Sequence, residues 1–285
     1  MVYTKGSGVL KTVVILALAL FVLLPVCMLF AGSFMGADEA YEKLGPVLFD
    51  NSGRSATWFF LPEYPTLRAY VELLLDSPDF FVMFWNSVKI VLPILMGQML
   101  VAVPAAWGFA KFRFKGRRAL FMIYIVLMLM PFQVTMVSNY IVLDSMHLMN
   151  TRLAVILPAI FSTFPVFIIY RFFKGIPDAL LEAAAIDGAG PLETFLYIGI
   201  PVGAPGIAAA MILGFIEYWS MIEQPLTFIK DKSLWPLSLY LPGSSGNQAA
   251  VALAASIMIL VPPLLVFLVG QKYLERGIQA VGLKE

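Results

Sequence analysis

Few side chains in this sequence are equipped for catalysis. His147 is the only histidine and Cys27 the only cysteine among 285 residues. So few argue against a His-rich metal site, and a single histidine argues against a histidine-based triad. Cys27 has no partner for an internal disulfide and sits in an apolar run, where a buried free thiol is expected. No G-x-x-x-x-G-K-[ST] stretch is present, so the chain lacks a phosphate-cradling loop. What remains is recognition chemistry, concentrated in 176–206, IPDALLEAAAIDGAGPLETFLYIGIPVGAPG. There Glu182 and Asp187 flank Ala183, Ala184 and Ala185, and Gly188 and Ala189 follow. A helix carrying so little side-chain bulk can sink into a groove on another protein, and the two carboxylates add anionic contacts. A compact surface loop without a partner fits the same residues. A second cluster, Glu217, Tyr218, Trp219 and Glu223, sets two carboxylates beside two amphipathic rings at one end of an apolar run. Charge in such a setting is costly and points to a polar solute path, with a solvated rim as the alternative.

Local sequence says how 176–206 folds. Pro177 suits a first helical turn, and Asp178 complements the positive end of the helix dipole. Residues 179–186 are good helix formers, and Gly188 is positioned to cap them. Gly190-Pro191 starts a second short helix with Glu193 in its first turn. The expectation is two short helices joined by a turn.

The elements that must hold these residues are membrane helices. The chain is 60% hydrophobic and only 13% charged. A water-soluble domain is nearer half apolar and a quarter charged, so lipid must solvate the excess. A net charge of +1 gives no field for a polyanion such as nucleic acid. Five Trp, eleven Tyr and 23 Phe suit interfaces and lipid-facing surfaces. About 20 apolar residues cross a bilayer, and six runs qualify: 9–33, 84–110, 119–143, 153–173, 198–222 and 249–270. The first is read as a retained anchor, being long for a signal peptide, although Ala31-Gly32-Ser33 keeps cleavage open. Lys5 and Lys11; Lys111, Arg113, Lys115, Arg117 and Arg118; Arg171 and Lys174; and Lys272, Arg276 and Lys284 all fall on one side of six spans. Positive loops stay inside, so both termini are expected in the cytoplasm and the acidic 34–83 segment outside.

Within the runs, Pro93, Pro104, Pro158, Pro165, Pro205, Pro262 and Pro263 free backbone carbonyls, and Pro262-Pro263 is the expected site of a pronounced bend. Gly203, Gly206, Ala208, Ala209, Ala210 and Gly214, and the alanines of 249–255, are small enough to let helices approach closely, and both sets read as packing faces. Lys89 is placed to snorkel to the headgroups.

The order Glu182-Ala183-Ala184, Asp187-Gly188-Ala189 and Ile200-Pro201 resembles the EAA loop of permeases of ABC-type importers. Pro65-Thr66-Leu67-x-x-Tyr70, Asn86-Ser87, Met130-Pro131-Phe132-Gln133, Asn150-Thr151, Leu157-Pro158 and Arg171-Phe172-Phe173 resemble the carbohydrate-uptake branch, the maltose-type "G" permease group. The tail Gln271-Lys272-x-Leu274-x-x-Gly277-x-x-Ala280-x-Gly282-x-Lys284 is similar to that family's C-terminal signature. The resemblance covers roughly 61–285. His147 stands where a glycine is usual, Trp219-Ser220 replaces Trp-Asn, Glu217 adds a charge at a position that tends to be small or apolar, and 34–60 is a longer insertion than is typical.

The resemblance implies an all-α integral membrane protein of six transmembrane helices with the type I ABC importer permease fold, in the cell (inner/plasma) membrane. It divides the chain into 1–83, a first helix with an extracytoplasmic segment, and 84–285, a five-helix core with a cytoplasmic coupling loop at 175–197. The loop is implied to dock into an ATPase subunit through Glu182, Ala183, Ala184, Ala185, Asp187, Gly188 and Ala189, with Gly277, Gly282 and Lys284 as C-terminal ATPase contacts. Implied partners are a second permease subunit, an ATPase dimer that carries the ATP and Mg, and an extracytoplasmic solute-binding protein; no cofactor or metal is expected in this chain. The expected activity is import of a sugar or sugar-like solute, or of a non-sugar solute by the same machinery. An ion-coupled secondary transporter needs mid-membrane carboxylates, which four of the six runs lack. A membrane-embedded hydrolase needs a nucleophile beside a base, and His147 lies in a loop.

Overall fold

The computed structural model describes residues 5–48, 61–242 and 248–282, and among these the regular structure is entirely helical. In chain order the helices are α1 (Lys5–Gly32), α2 (Ala37–Leu48), α3 (Arg68–Val71), α4 (Pro78–Lys111), α5 (Arg117–Met128), α6 (Phe132–Ser145), α7 (Leu153–Ile160), α8 (Thr163–Gly175), α9 (Asp178–Ile186), α10 (Pro191–Thr194), α11 (Ile200–Trp219), α12 (Glu223–Phe228) and α13 (Ala249–Gly282). Five helical stretches among the described residues are long and apolar enough to cross a membrane: 11–32, 78–111, 153–175, 191–219 and 249–275.

The expected third span, 119–143, is not one helix. It is α5 and α6, bent by 101° at a short break, and it makes a sixth span only if the pair is counted together. Pro131 is the cause. It cannot donate a backbone hydrogen bond and it drives the preceding residue out of helical conformation, so α5 stops and Pro131 itself is extended, with φ −68° and ψ 151°. The expected fifth span starts earlier than its apolar run, because α10 passes through a wider π-helical turn, Phe195–Gly199, directly into α11. The sixth also overruns its apolar stretch, and α13 continues unbroken through Pro262-Pro263 to Gly282.

The chain divides into two compact units. The first holds Met1–Phe81 and Leu241–Val261. Here α1 is apolar and mostly exposed along 11–30, as a lipid-facing helix is, so Cys27 is exposed rather than buried as expected, while Ala31 and Gly32 at its end are buried. The residues after it fold back on themselves: Ser33 Oγ lies 2.7 Å from the Tyr70 hydroxyl, Thr66 N–H donates to the Phe34 carbonyl at 2.8 Å, and the Phe34 and Tyr70 rings are 5.5 Å apart. Glu39 accepts from the Glu63 N–H at 2.9 Å and pairs with Lys43 at 2.9 Å. Burial pushes the Glu39 carboxyl up, but these bonds outweigh it and hold the group below its ordinary value. Ala249, Ala250, Val251, Ala254 and Ala255 are buried, the packing role expected of them.

The second unit holds Val82–Tyr240 and Pro262–Glu285. Its core joins α4, α8 and α11 through Ala102, Ala106, Trp107, Val166, Ile169, Phe173, Ile207 and Ala210. The Trp107 and Phe173 rings meet edge to face at 5.1 Å. Glycines on one stripe of the α10–α11 run make room for them. A Cβ on Gly199 would lie 2.7 Å from Trp107 and one on Gly206 2.3 Å from Phe172. One on Gly203 would lie 2.3 Å from Phe173. Contacts this short are impossible, so glycine is what lets α8 and α4 close on α11, the mode of association open to helices in lipid.

Candidate docking helix and polar cleft

The 176–206 segment folds as two short helices joined by a turn, as its sequence predicts. Pro177 stands just before α9 and Asp178 opens it. The helix closes in a Schellman motif: Gly188 N–H donates to the Ala185 carbonyl at 3.1 Å and Ala189 N–H to the Ala184 carbonyl at 2.9 Å. Gly188 has φ +88°, the left-handed conformation that glycine adopts without strain. In α10, Glu193 reaches back to accept from the Gly190 N–H at 2.8 Å, and the Thr194 hydroxyl donates to the Gly190 carbonyl at 2.9 Å.

One residue of α4 holds the start of α9. Lys111 Nζ donates to the Ile176 carbonyl at 2.6 Å and pairs with Asp178 at 3.0 Å. Lys111 is almost fully covered, while Asp178 is largely exposed. The Lys111 ammonium, helped by Arg113, holds the Asp178 carboxyl below the usual carboxylate range. A carboxylate with a depressed value contributes above its unfolded value and loses that contribution only as pH falls through the lower folded one. The tie is therefore fully formed at neutral pH. The sequence marked Lys111 only as one of several positive loop residues.

Exposure sorts the residues of α9. Glu182, Ala183, Ala185, Asp187 and Gly188 are exposed and Ala189 is half-buried. Ala184 is buried, so it packs within the chain rather than facing outward. Ile186 is 86% exposed and Leu180, Leu192 and Tyr197 are exposed near it in sequence. Exposed large apolar residues of this kind are open to contact with another protein or with lipid. A reading centred on alanines passed over Ile186; its i+3 spacing from Ala183 was the available signal. Gly277 and Gly282 lie on the backbone of α13, and Lys284 lies outside the described residues.

The polar cluster separates into a cleft and its surroundings. Glu217 and Tyr218 line a cleft of about 710 Å³ between the broken α5–α6 pair, α7, α8, the end of α11 and α12. Trp219 does not; it is buried, stacked on Phe215 at 5.4 Å and edge-on to Phe84 at 5.7 Å. Glu223 does not either, and accepts from Gln133 Nε2 at 2.7 Å. Their places are taken by Thr135, Asn139, Ser162, Thr163 and Gln224, which line the cleft. Uncharged and scattered along the chain, they left no local pattern to read. Behind the wall, the fully buried Gln98 donates through Nε2 to the Ala159 carbonyl and to the Tyr218 hydroxyl, both at 2.8 Å. Among the described residues no His/Cys/Asp/Glu group is placed to hold a metal ion.

A second polar network braces the segment after α12. Asn86 Nδ2 donates to the Ser233 and Trp235 carbonyls at 2.7 and 3.1 Å, while its Oδ1 accepts from Arg152 at 2.7 Å. Ser87 Oγ accepts from Leu237 N–H at 2.8 Å, and Asn150 Oδ1 accepts from Lys230 and Asp231 N–H at 2.9 and 2.8 Å. The Asn-Ser and Asn-Thr pairs are thus loop braces.

The chain is similar to several known transport proteins. It is 29% identical over 231 residues to the arabinooligosaccharides transport system permease protein AraQ of Halalkalibacterium halodurans, covering 80% of this chain and 83% of that one. It is 31% identical over 255 residues to a probable ABC transporter permease protein of Pyrococcus horikoshii, covering 87% and 89%. Its fold matches, with a TM-score of 0.79 and 20% identity over 96% of this chain and 99% of the other, a chain from the crystal structure of a bacterial ABC transporter involved in the import of the acidic polysaccharide alginate. Residues 98–280, which run from Gln98 through the cleft and α9 into α13, match the model of the family described as binding-protein-dependent transport system inner membrane component. The chain belongs to the family of binding-protein-dependent transport system inner membrane components.

Proposed function

We propose that this chain is one permease half of an ATP-driven importer for a sugar or sugar-like solute, with α9 as the element that receives the stroke of a separate ATPase. It is a transport subunit of the inner (plasma) membrane, not an enzyme. The proposed arrangement has six spans, the α5–α6 pair counting as one, with both termini and α9 in the cytoplasm. The support for it is the positive charge of the loops on that side. The partners are a second permease, two ATPase subunits holding ATP and Mg, and an extracytoplasmic binding protein, which the family description itself names as a requirement. The sugar reading is supported by the relative that carries arabinooligosaccharides.

The observation that carries the reading is α9 itself. It is a nine-residue helix that exposes Ala183, Ala185 and Ile186 and is fastened by Lys111 to α4. A small-residue face beside an apolar anchor fits a preformed socket, and the Lys111 tie passes force into a membrane-spanning helix. Because Ala184 is buried, the test belongs at its exposed neighbours. Ala183→Trp and Ile186→Asp, made in the assembled transporter, are expected to lower ATPase co-purification at least tenfold, the loss of a central hot spot. Ala183→Ser is expected to retain it. Wild-type recovery of the ATPase with normal uptake in both bulky and charged variants would refute the reading.

A further inference from the structure

Among the described residues lining the cleft, one side chain can carry a full charge at neutral pH, and it is the carboxyl group of Glu217. Glu217 is the only Asp, Glu, Lys or Arg in α11, and none of the described residues lining the cleft is a lysine, arginine or histidine. The remaining polar lining is hydroxyl and amide: Thr135, Asn139, Ser162, Thr163, Tyr218 and Gln224. Between them stand apolar and aromatic walls from Met128, Phe132, Phe161, Phe164 and Phe228. Two helices also begin at the cleft, α6 at Phe132 and α8 at Thr163. A helix start carries about half a positive charge. At most the two ends balance the Glu217 carboxylate, and they leave no cation for an anionic solute to pair with. An unpaired charge enclosed in a membrane protein is strongly disfavoured. A hydroxyl-rich neutral solute meets no such penalty: its hydroxyls can donate to Glu217 and accept from the amides and helix starts, while its C–H faces pack on the rings.

The geometry points to Glu217 as the residue that makes this cleft select neutral, polyhydroxylated solutes and reject anionic ones such as uronates or phosphate esters. This rests on the reading of the chain as a solute-conducting permease, and it adds the charge class of the solute. Beside Glu217, Gln98 donates to the Tyr218 oxygen, which leaves the phenolic proton free to point toward Ser162 or the solute.

Two measurements on the complete transporter in proteoliposomes test it. In a Cys27→Ser background, Asn139→Cys supplies a thiol on the cleft wall, and its rates with a cationic and an anionic methanethiosulfonate reagent are compared. Glu217→Gln is expected to lower the cation-to-anion rate ratio about tenfold or more, the scale of one unit charge at close range in partly screened surroundings. Glu217→Asp is expected to keep it. An unchanged ratio in Glu217→Gln overturns the inference. If Glu217→Gln does not assemble, the Asn139→Cys rates with Glu217 intact, each divided by the same reagent's rate with a small free thiol, are expected to favour the cation about tenfold, and equal normalised rates overturn the inference. Second, ATP-driven uptake of a neutral oligosaccharide is compared with that of the same oligosaccharide carrying a terminal uronate. Glu217→Gln is expected to raise the uronate-to-neutral ratio about tenfold over wild type; binding-protein affinity cancels because it is common to both permeases. An unchanged ratio again counts against the inference. Absence of uptake of either sugar by wild type would instead sink the sugar reading, with the labelling ratio still deciding the charge assignment.

Discussion

His147 and Gly188 occupy the same structural position in two different helices. Each follows a helix by two residues, has positive φ (+55° and +88°), and closes a Schellman motif. For α6 the bonds are His147 N–H to the Asp144 carbonyl at 2.9 Å and Leu148 N–H to the Leu143 carbonyl at 3.0 Å. Glycine is the default there because a Cβ strains the left-handed conformation. This explains why the permease resemblance leads one to expect glycine at 147, and why histidine, one of the residues better tolerated in that region, can stand in. The account predicts that His147→Gly is neutral or stabilising, up to about 1 kcal/mol after the entropy of the unfolded chain is counted. It predicts that His147→Val, β-branched at positive φ, destabilises by about 1–2 kcal/mol or more. Thermal unfolding of the purified protein ranks the three; a valine variant as stable as the glycine one would contradict the assignment.

At the scale of elements, the seam between α8 and α11 is held by shape. The packing face of α11 was legible in part, because Gly203 and Gly206 stand among small residues in an otherwise apolar run, whereas Gly199 was not read as part of it. Its partners were not, since Phe172, Phe173 and Trp107 are ordinary members of their own runs until folding brings them across. Gly203→Ala forces a methyl against the fully buried Phe173 ring and is expected to cost about 1–3 kcal/mol, the usual penalty for overpacking. Phe173→Leu should recover part of that loss in the double variant, because contacting residues couple. Additive losses would show that the clash is relieved elsewhere. The break between α5 and α6 was also written in the sequence, in Pro131, but averaging hydropathy over 119–143 conceals a single residue. With the α7–α8 junction, that break supplies the irregular backbone around the cleft, which membranes tolerate where a cavity is lined.

For the whole molecule, local signals and dispersed ones fared differently. The α9–α10 pair was readable because Pro177, Asp178, Gly188, Gly190, Pro191 and Glu193 each act on near neighbours, and near neighbours are adjacent in sequence. The cleft was half-readable. Its charged member stood out against apolar surroundings, while Ser162, Thr163, Asn139 and the buried Gln98 are polar residues of unremarkable context until distant helices meet. Lys111 shows the same limit, a loop cation by composition and a strut by position. The central claim is that α9 stands on the cytoplasmic face and is covered by an ATPase. It is tested most directly by one thiol: Ile186→Cys in a Cys27→Ser background, probed with a membrane-impermeant maleimide in vesicles of known orientation. The account predicts reaction only from the cytoplasmic side, slowed at least tenfold when the ATPase subunits are present. Reaction from the outside, or an equal rate with and without the ATPase, would contradict it.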